Sequence, residues 1–188
     1  MPLTPAQPRT PYHRRTIECR GYYREDGLWD IEGHLVDTKS YDFDNLYRGK
    51  IAAGAPLHEM WIRLTIDEDF LVREVEVVTD AAPFVSCSDI TGAFAALKGL
   101  RIGGGFNRKV REMFGGKNGC THLVDLLGPM ATTAYQTLYP IRERKASTST
   151  SRERPKVIDT CHALAADGEV VRNQWPDFYA GPVPVENE

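Results

Sequence analysis

Two stretches of alternating sequence constrain this chain more than any other feature. From Met60 to Ile66, residues Ile62, Leu64 and Ile66 fall on one side; after Asp67-Glu68-Asp69, the segment Phe70 to Thr79 returns with Leu71, Val75 and Val77 on one side. A period of two puts those side chains on one face of an extended strand, so the pair reads as a hairpin with one buried face. A second pair lies upstream: Thr16 to Tyr23, a turn at Asp26-Gly27, and a strand in which Trp29, Ile31, Gly33 and Leu35 share a face. The opposite face carries Asp30, Glu32 and His34 and reads as solvated.

Hairpins with one apolar face need a second layer, and the pattern after Pro83 supplies it. Ser88 or Asp89 can cap a helix in which Ile90, Phe94 and Leu97 recur at helical spacing, with Gly99 as its stop. Phe106 to Phe114 predicts a second helix, ended by Gly115-Gly116. A third carries the stripe Leu123, Leu126, Leu127, Met130, Ala131, Ala134 and Leu138, in which Gly128-Pro129 predicts a kink or break near Leu127. The expected fold is therefore α+β: antiparallel β hairpins packed against about three helices.

At 188 residues and 41% apolar, the chain has the size for one domain with a substantial core. We place that domain at 14–175, after a Pro-rich tail over 1–13 and before a second tail over 176–188. Within it, 141–156 is poor in apolar residues and reads as a flexible linker, leading to a C-terminal β hairpin formed by 157–164 and 169–172 around Asp167-Gly168. Tyr41 to Lys50 reads as loop.

The charge balance excludes several partners. With 23 basic and 26 acidic residues and a net charge of −3, the chain lacks the positive field of a nucleic-acid binder. No apolar run approaches the roughly 20 residues needed to span a bilayer, and Met1 to Arg15 has no signal-peptide apolar region. These features predict a cytoplasmic protein that binds neither membrane nor nucleic acid. In such a compartment Cys19, Cys87, Cys120 and Cys161 are expected to be free or metal-bound.

The chemistry concentrates at Gly119-Cys120-Thr121-His122-Leu123, where a thiol and an imidazole meet the start of the third helix. Unsatisfied N–H groups and the positive end of the helix dipole favour a thiolate there. With His58 and Cys87 they make a set of two sulfur and two nitrogen donors suited to zinc or iron. Each of His58, Cys87 and Cys120 falls at a junction between expected elements, where a pocket can form. Cys19 is assigned to the core, and Cys161 and His162 would point to opposite faces of a strand. Gly103-Gly104-Gly105 lacks the residues of a phosphate loop and reads as a tight interhelical turn.

Two resemblances follow from these residues. Asp26 to Gly33, the Gly54-x-Pro56-x-His58 segment, Leu97-x-Gly99-Leu100-x-Ile102-Gly103 and Gly119 to Leu123 together resemble an uncharacterised bacterial domain family, over nearly all of 14–175. The order Gly54-Ala55-Pro56-x-His58, a hairpin, Cys87, a helix ending in Lys98-Gly99, and Cys120 at a helix start also resembles NifU-like iron-sulfur scaffolds, over 54–138. That second likeness implies Cys87 and Cys120 as the second and third ligands of a metal or cluster, with His58 in the place of the first cysteine.

The expectation is a metal-binding scaffold or carrier that uses Cys87, Cys120 and His122, with His58 available as a fourth ligand, and that holds zinc or iron. One alternative is a cysteine-dependent enzyme with Cys120 as nucleophile and His122 or His58 as base. Another is a protein-interaction module built on Tyr22, Tyr23, Trp29, Tyr41 and Tyr47.

Overall fold

The computed structural model describes residues 3–147 and 153–182. The chain divides into two compact units, Met1–Glu143 and Arg144–Glu188, whose boundary falls in the segment expected to be a linker. The first unit is α+β, as the alternation predicts. Strands β1 (His13–Tyr23), β2 (Trp29–Lys39), β5 (Pro56–Ile66) and β6 (Val72–Ala81) form an antiparallel sheet in the order β1-β2-β5-β6. Between β2 and β5 the polar segment expected as loop folds into a small separate hairpin, β3 (Phe43–Asn45) and β4 (Gly49–Ile51). Its turn is closed by the Asn45 side chain, which accepts the N–H groups of Tyr47 and Arg48.

The sheet is best understood as rows of side chains directly opposite one another on its inner face. One row is Gly21, Ile31, Leu64 and Val75; the next is Cys19, Gly33, Ile62 and Val77; the third is Ile17, Leu35, Met60 and Thr79. Ile31, Leu35, Met60, Ile62 and Leu64 are fully buried there. The alternating partners Glu32, His34 and Arg63 look outward, as the period of two requires.

Helix α2 (Thr121–Ser147) covers this face with the buried stripe Leu123, Leu126, Leu127, Met130, Ala134 and Leu138. Two glycines let it approach. A Cβ on Gly33 would stand 2.6 Å from the Met130 sulfur, and one on Gly21 would overlap the Thr137 hydroxyl. The helix is continuous through Pro129, so of the kink or break expected near Leu127 the break does not occur. The lost backbone bond at one proline is outweighed by an apolar stripe that continues on both sides of it.

The other helical expectations hold with changes of detail. Helix α1 (Phe106–Phe114) ends at Gly115 as expected. The segment after β6, expected as an α-helix, is instead two 3-10 turns, Val85–Ser88 and Thr91–Leu97. Thr91 and Gly92 are weak α-helix formers, whereas the buried Phe94 and Leu97 lie three apart, the repeat of the tighter helix. Gly99 stops the segment with φ +84°.

The expected linker is helical over its first residues, since α2 runs to Ser147; residues 148–152 lie outside the described residues. The expected C-terminal β hairpin is absent from the described residues. In its place stand a 3-10 turn, His162–Leu164, the short helix α3 (Glu169–Gln174) and a 3-10 turn at Pro176–Phe178. The valine-rich pattern is misleading because Asp159 closes the chain on itself. Its N–H donates to the Leu164 carbonyl (2.8 Å), its carboxylate accepts the Ala166 N–H (2.8 Å), and its φ is +67°. Gly168 then precedes a helix with Glu169 in its first turn and Arg172 in its last, the arrangement the helix dipole favours. The expected tail beyond residue 182 lies outside the described residues.

Candidate metal centre

The inner-face rows change character at the end of the sheet where α2 begins. Directly opposite one another on β1, β2 and β5 stand Arg15, Asp37 and His58. The β2–β5 ladder shifts register between Asp37 and Thr38, an irregularity of the kind that re-aims side chains at sheet ends. Above this row sits the start of α2. The Cys120 carbonyl accepts the Val124 N–H (2.9 Å), which makes Cys120 the N-cap and puts His122 in the first turn.

Asp37 is the centre of the cluster and is only 1% exposed. Arg15 holds it bidentately, Nε to Oδ1 and Nη2 to Oδ2, both at 2.8 Å, and reaches Asp125 on α2 with Nη1 at 2.9 Å. Three imidazoles surround the same carboxylate. His13 Nε2 lies 3.3 Å from Oδ1, His58 Nδ1 lies 3.1 Å from Oδ2, and His122 Nε2 lies 3.5 Å from Oδ2. The His58 and His122 rings stack with centroids 3.7 Å apart.

Burial would by itself raise the Asp37 pKa, but the paired Arg15 guanidinium holds it below the usual carboxylate value, so Asp37 is ionised. Burial also lowers both histidines. His58 falls from 6.5 to about 4, through burial first and then its neighbour His122; His122 falls through burial and then Arg15. Near neutral pH the centre thus holds a carboxylate and two neutral imidazoles, the protonation states of metal ligands.

Among the described residues, the ligand atoms of Asp37, His58 and His122 all lie within 4.8 Å of one another, and no other three or more His, Cys, Asp or Glu do so. Of the four residues singled out in the sequence, His58 and His122 are brought together. Cys120 lies beside them, its Sγ 3.8 Å from His122 Nδ1, but outside the three-donor group. Cys87 sits in the 3-10 turn after β6 and is also outside it. Sequence reading missed Asp37, Arg15, His13 and Asp125. For Asp37 a signal existed, since it continues the inward series Trp29, Ile31, Gly33, Leu35 and is thereby a carboxylate in a core register.

Fold and centre together define a class: an α+β domain with a four-stranded antiparallel sheet whose covering helix starts over a buried carboxylate ringed by histidines. The profile of a family described as "Protein of unknown function (DUF2889)" matches residues 13–136, which span the sheet and most of the helix stripe. The chain belongs to that family. No curated protein and no solved structure matches it significantly. Among the described residues, no helix is long and apolar enough to cross a membrane.

Proposed function

We propose that this protein holds a divalent transition-metal ion, zinc or iron, through Asp37, His58 and His122, as a binding scaffold or carrier. The observation that carries this reading is the convergence of one carboxylate and two neutral imidazoles within 4.8 Å. Two nitrogens and one oxygen suit zinc or iron(II) and leave coordination positions for a further ligand. The charge balance also suits a cation, because one guanidinium, Arg15, faces two carboxylates, Asp37 and Asp125. Arg15 then plays the orienting part that outer partners commonly play for metal-bound carboxylates.

The thiol-enzyme alternative has a geometric basis, since Cys120, His122 and Asp37 follow one another at 3.8 and 3.5 Å. Burial opposes it: a His122 held neutral is a weak partner for a thiolate.

The test is metal analysis of protein purified without an affinity tag, with cobalt(II) titration of the apo form. About one ion per chain is expected, with loss of binding in His58→Ala and His122→Ala. Wild-type protein that carries no zinc or iron above trace and gives no cobalt spectrum would sink the proposal.

A further inference from the structure

His122 has two faces, and only one of them looks at Asp37. Its Nδ1 faces Cys120 Sγ at 3.8 Å, and that sulfur lies in turn 3.9 Å from Met60 Sδ. Met60 occupies the row next to the polar one, between Leu35 and Thr79, and is fully buried. Every other buried β5 residue on this inner face, Ile62, Leu64 and Ile66, is a branched aliphatic. The one thioether on the strand is thus the one that touches the helix-capping cysteine. Opposite it, the Thr79 hydroxyl is buried without a hydrogen-bond partner.

We infer that Cys120 Sγ, Met60 Sδ and His122 Nδ1 form a second site, for a soft monovalent cation of the copper(I) class. Thiolate, thioether and imidazole are the donors that such ions select over harder oxygen sets. The two contacts of Cys120 Sγ have the spacing of donors that share one ion. With metal–sulfur and metal–nitrogen bonds of about 2.3 and about 2.0 Å, three donors in a plane around one ion stand about 4.0 Å apart sulfur to sulfur and about 3.7 Å sulfur to nitrogen. Cys120 Sγ stands 3.9 Å from Met60 Sδ and 3.8 Å from His122 Nδ1, close to those values on the two edges that the thiol makes. Charge fits as well, because a monovalent ion on one thiolate is neutral overall and adds no net charge to a half-buried place.

An ion on Nδ1 also fixes the proton of His122 on Nε2, which faces Asp37 Oδ2 at 3.5 Å, as in the carboxylate–histidine–metal arrangement that orients ligating imidazoles. Asp37 is then a positioning residue for the soft ion, not a ligand. The site shares only His122 with the divalent centre and does not depend on it. Since a neutral ring offers one lone pair, the two ions compete for its tautomer.

The test uses the full chain carrying Cys87→Ser and Cys161→Ser, which leaves Cys19 turned against Thr133 as the remaining other thiol. Copper(I) is titrated anaerobically against the chromophoric chelator bicinchoninate, and the copper X-ray absorption of the loaded protein is recorded. One retained ion with two sulfurs and one nitrogen is expected. Met60→Leu, close in volume, should weaken retention and drop the count to one sulfur; Cys120→Ala should abolish retention; Asp37→Asn should weaken it about ten- to a hundredfold. Circular dichroism checks that each variant folds, and the absorption spectrum of the parent requires none of them. Failure to retain copper(I), equal retention by Cys120→Ala, or a copper shell without a second sulfur would overturn the inference. Cobalt(II) bound through Asp37 and His58 should survive Met60→Leu and Cys120→Ala. A protein that binds copper(I) as expected but never cobalt(II) would therefore refute the divalent reading alone.

Discussion

The middle and one end of the sheet's inner face lie on the same strands and differ in what the rows contain and in the register shift beside the end row. Toward the middle, Gly21, Ile31, Leu64, Val75 and Cys19, Gly33, Ile62, Val77 form aliphatic rows onto which α2 settles closely. At the end, Arg15, Asp37 and His58 occupy the same three strands in the same register, under the first turn of the same helix. The aliphatic rows contribute burial, which scales with apolar area and is indifferent to orientation. The polar row contributes direction, since a carboxylate that takes donors from Arg15 and His58 fixes where each can point. Burial and direction thus fall in different rows, and each row can be altered separately.

The largest expected effect lies in the aliphatic rows. Leu64→Ala removes a fully buried side chain and should cost about 3–4 kcal/mol of unfolding free energy in urea titration. Gly33→Leu attacks the same region from the opposite direction, by driving a side chain into Met130, and should cost about 2–3 kcal/mol. Metal binding per folded molecule should be unchanged in Leu64→Ala. Binding that is lost while the protein stays folded would show that the two ends are coupled.

The polar row should respond differently, through unpairing instead of cavity formation. Arg15→Met leaves a buried carboxylate without its main counter-charge and should cost about 2–3 kcal/mol, less than a fully isolated charge because His58 still donates to it. Adding Asp37→Leu to it removes the unpaired charge, leaving neutral His58 as the row's one polar side chain, and should recover most of that stability while abolishing cobalt binding. A double variant that remains as unstable as Arg15→Met would refute the division between burial and direction.

The comparison also explains what was readable in the sequence. The period of two in β2, β5 and β6 and the stripe on α2 are visible because apolar burial leaves a repeating mark, and Ile31, Ile62, Leu64, Leu126 and Met130 are all where that mark puts them. His58 and His122 were legible as chemistry-bearing residues at junctions. Asp37 was hidden because an acidic residue on a strand reads as solvated, and only the pairing of β2 with β5, across the intervening hairpin, shows that it faces His58. Cys87 attracted attention through residue type and order along the chain, neither of which specifies where a turn's side chain lies. The C-terminal segment misled because valine-rich runs carry a β preference that Asp159 and Gly168 override locally.

A smaller effect separates the rows by pH. Folded His58 titrates at about 4 and His122 also below the ordinary 6.5. Between about 4 and 6.5 the unfolded chain takes up protons that the folded chain refuses, so apo-protein stability should fall as the pH drops through that window and be level above it. With partial solvent access discounted, His58 should account for about 1–2 kcal/mol of the fall. His58→Gln should flatten the profile between pH 4 and 6.5, whereas Leu64→Ala should shift it down without changing its slope. Equal slopes in wild type and His58→Gln would contradict the buried neutral state.

The smallest effect is expected on the outer face, where polar residues also stand opposite one another yet build no centre. Arg63 bridges Glu32 at 2.8 Å and Glu76 at 2.7 Å, across three neighbouring strands, as Asp37 does on the inner face. The difference is solvent: Arg63 and Glu76 are exposed, so their attraction is screened and offset by the entropy of holding long side chains. Glu76→Gln should therefore change stability by less than about 0.5 kcal/mol, and by less still in high salt. Charged residues in register across three strands are common to both faces, and it is the covering helix, with Gly33 admitting it and His122 at its start, that buries one such row. A loss of 2 kcal/mol or more on Glu76→Gln, read in the same urea titration, would mean that register alone suffices and that the helix is not what sets the inner row apart.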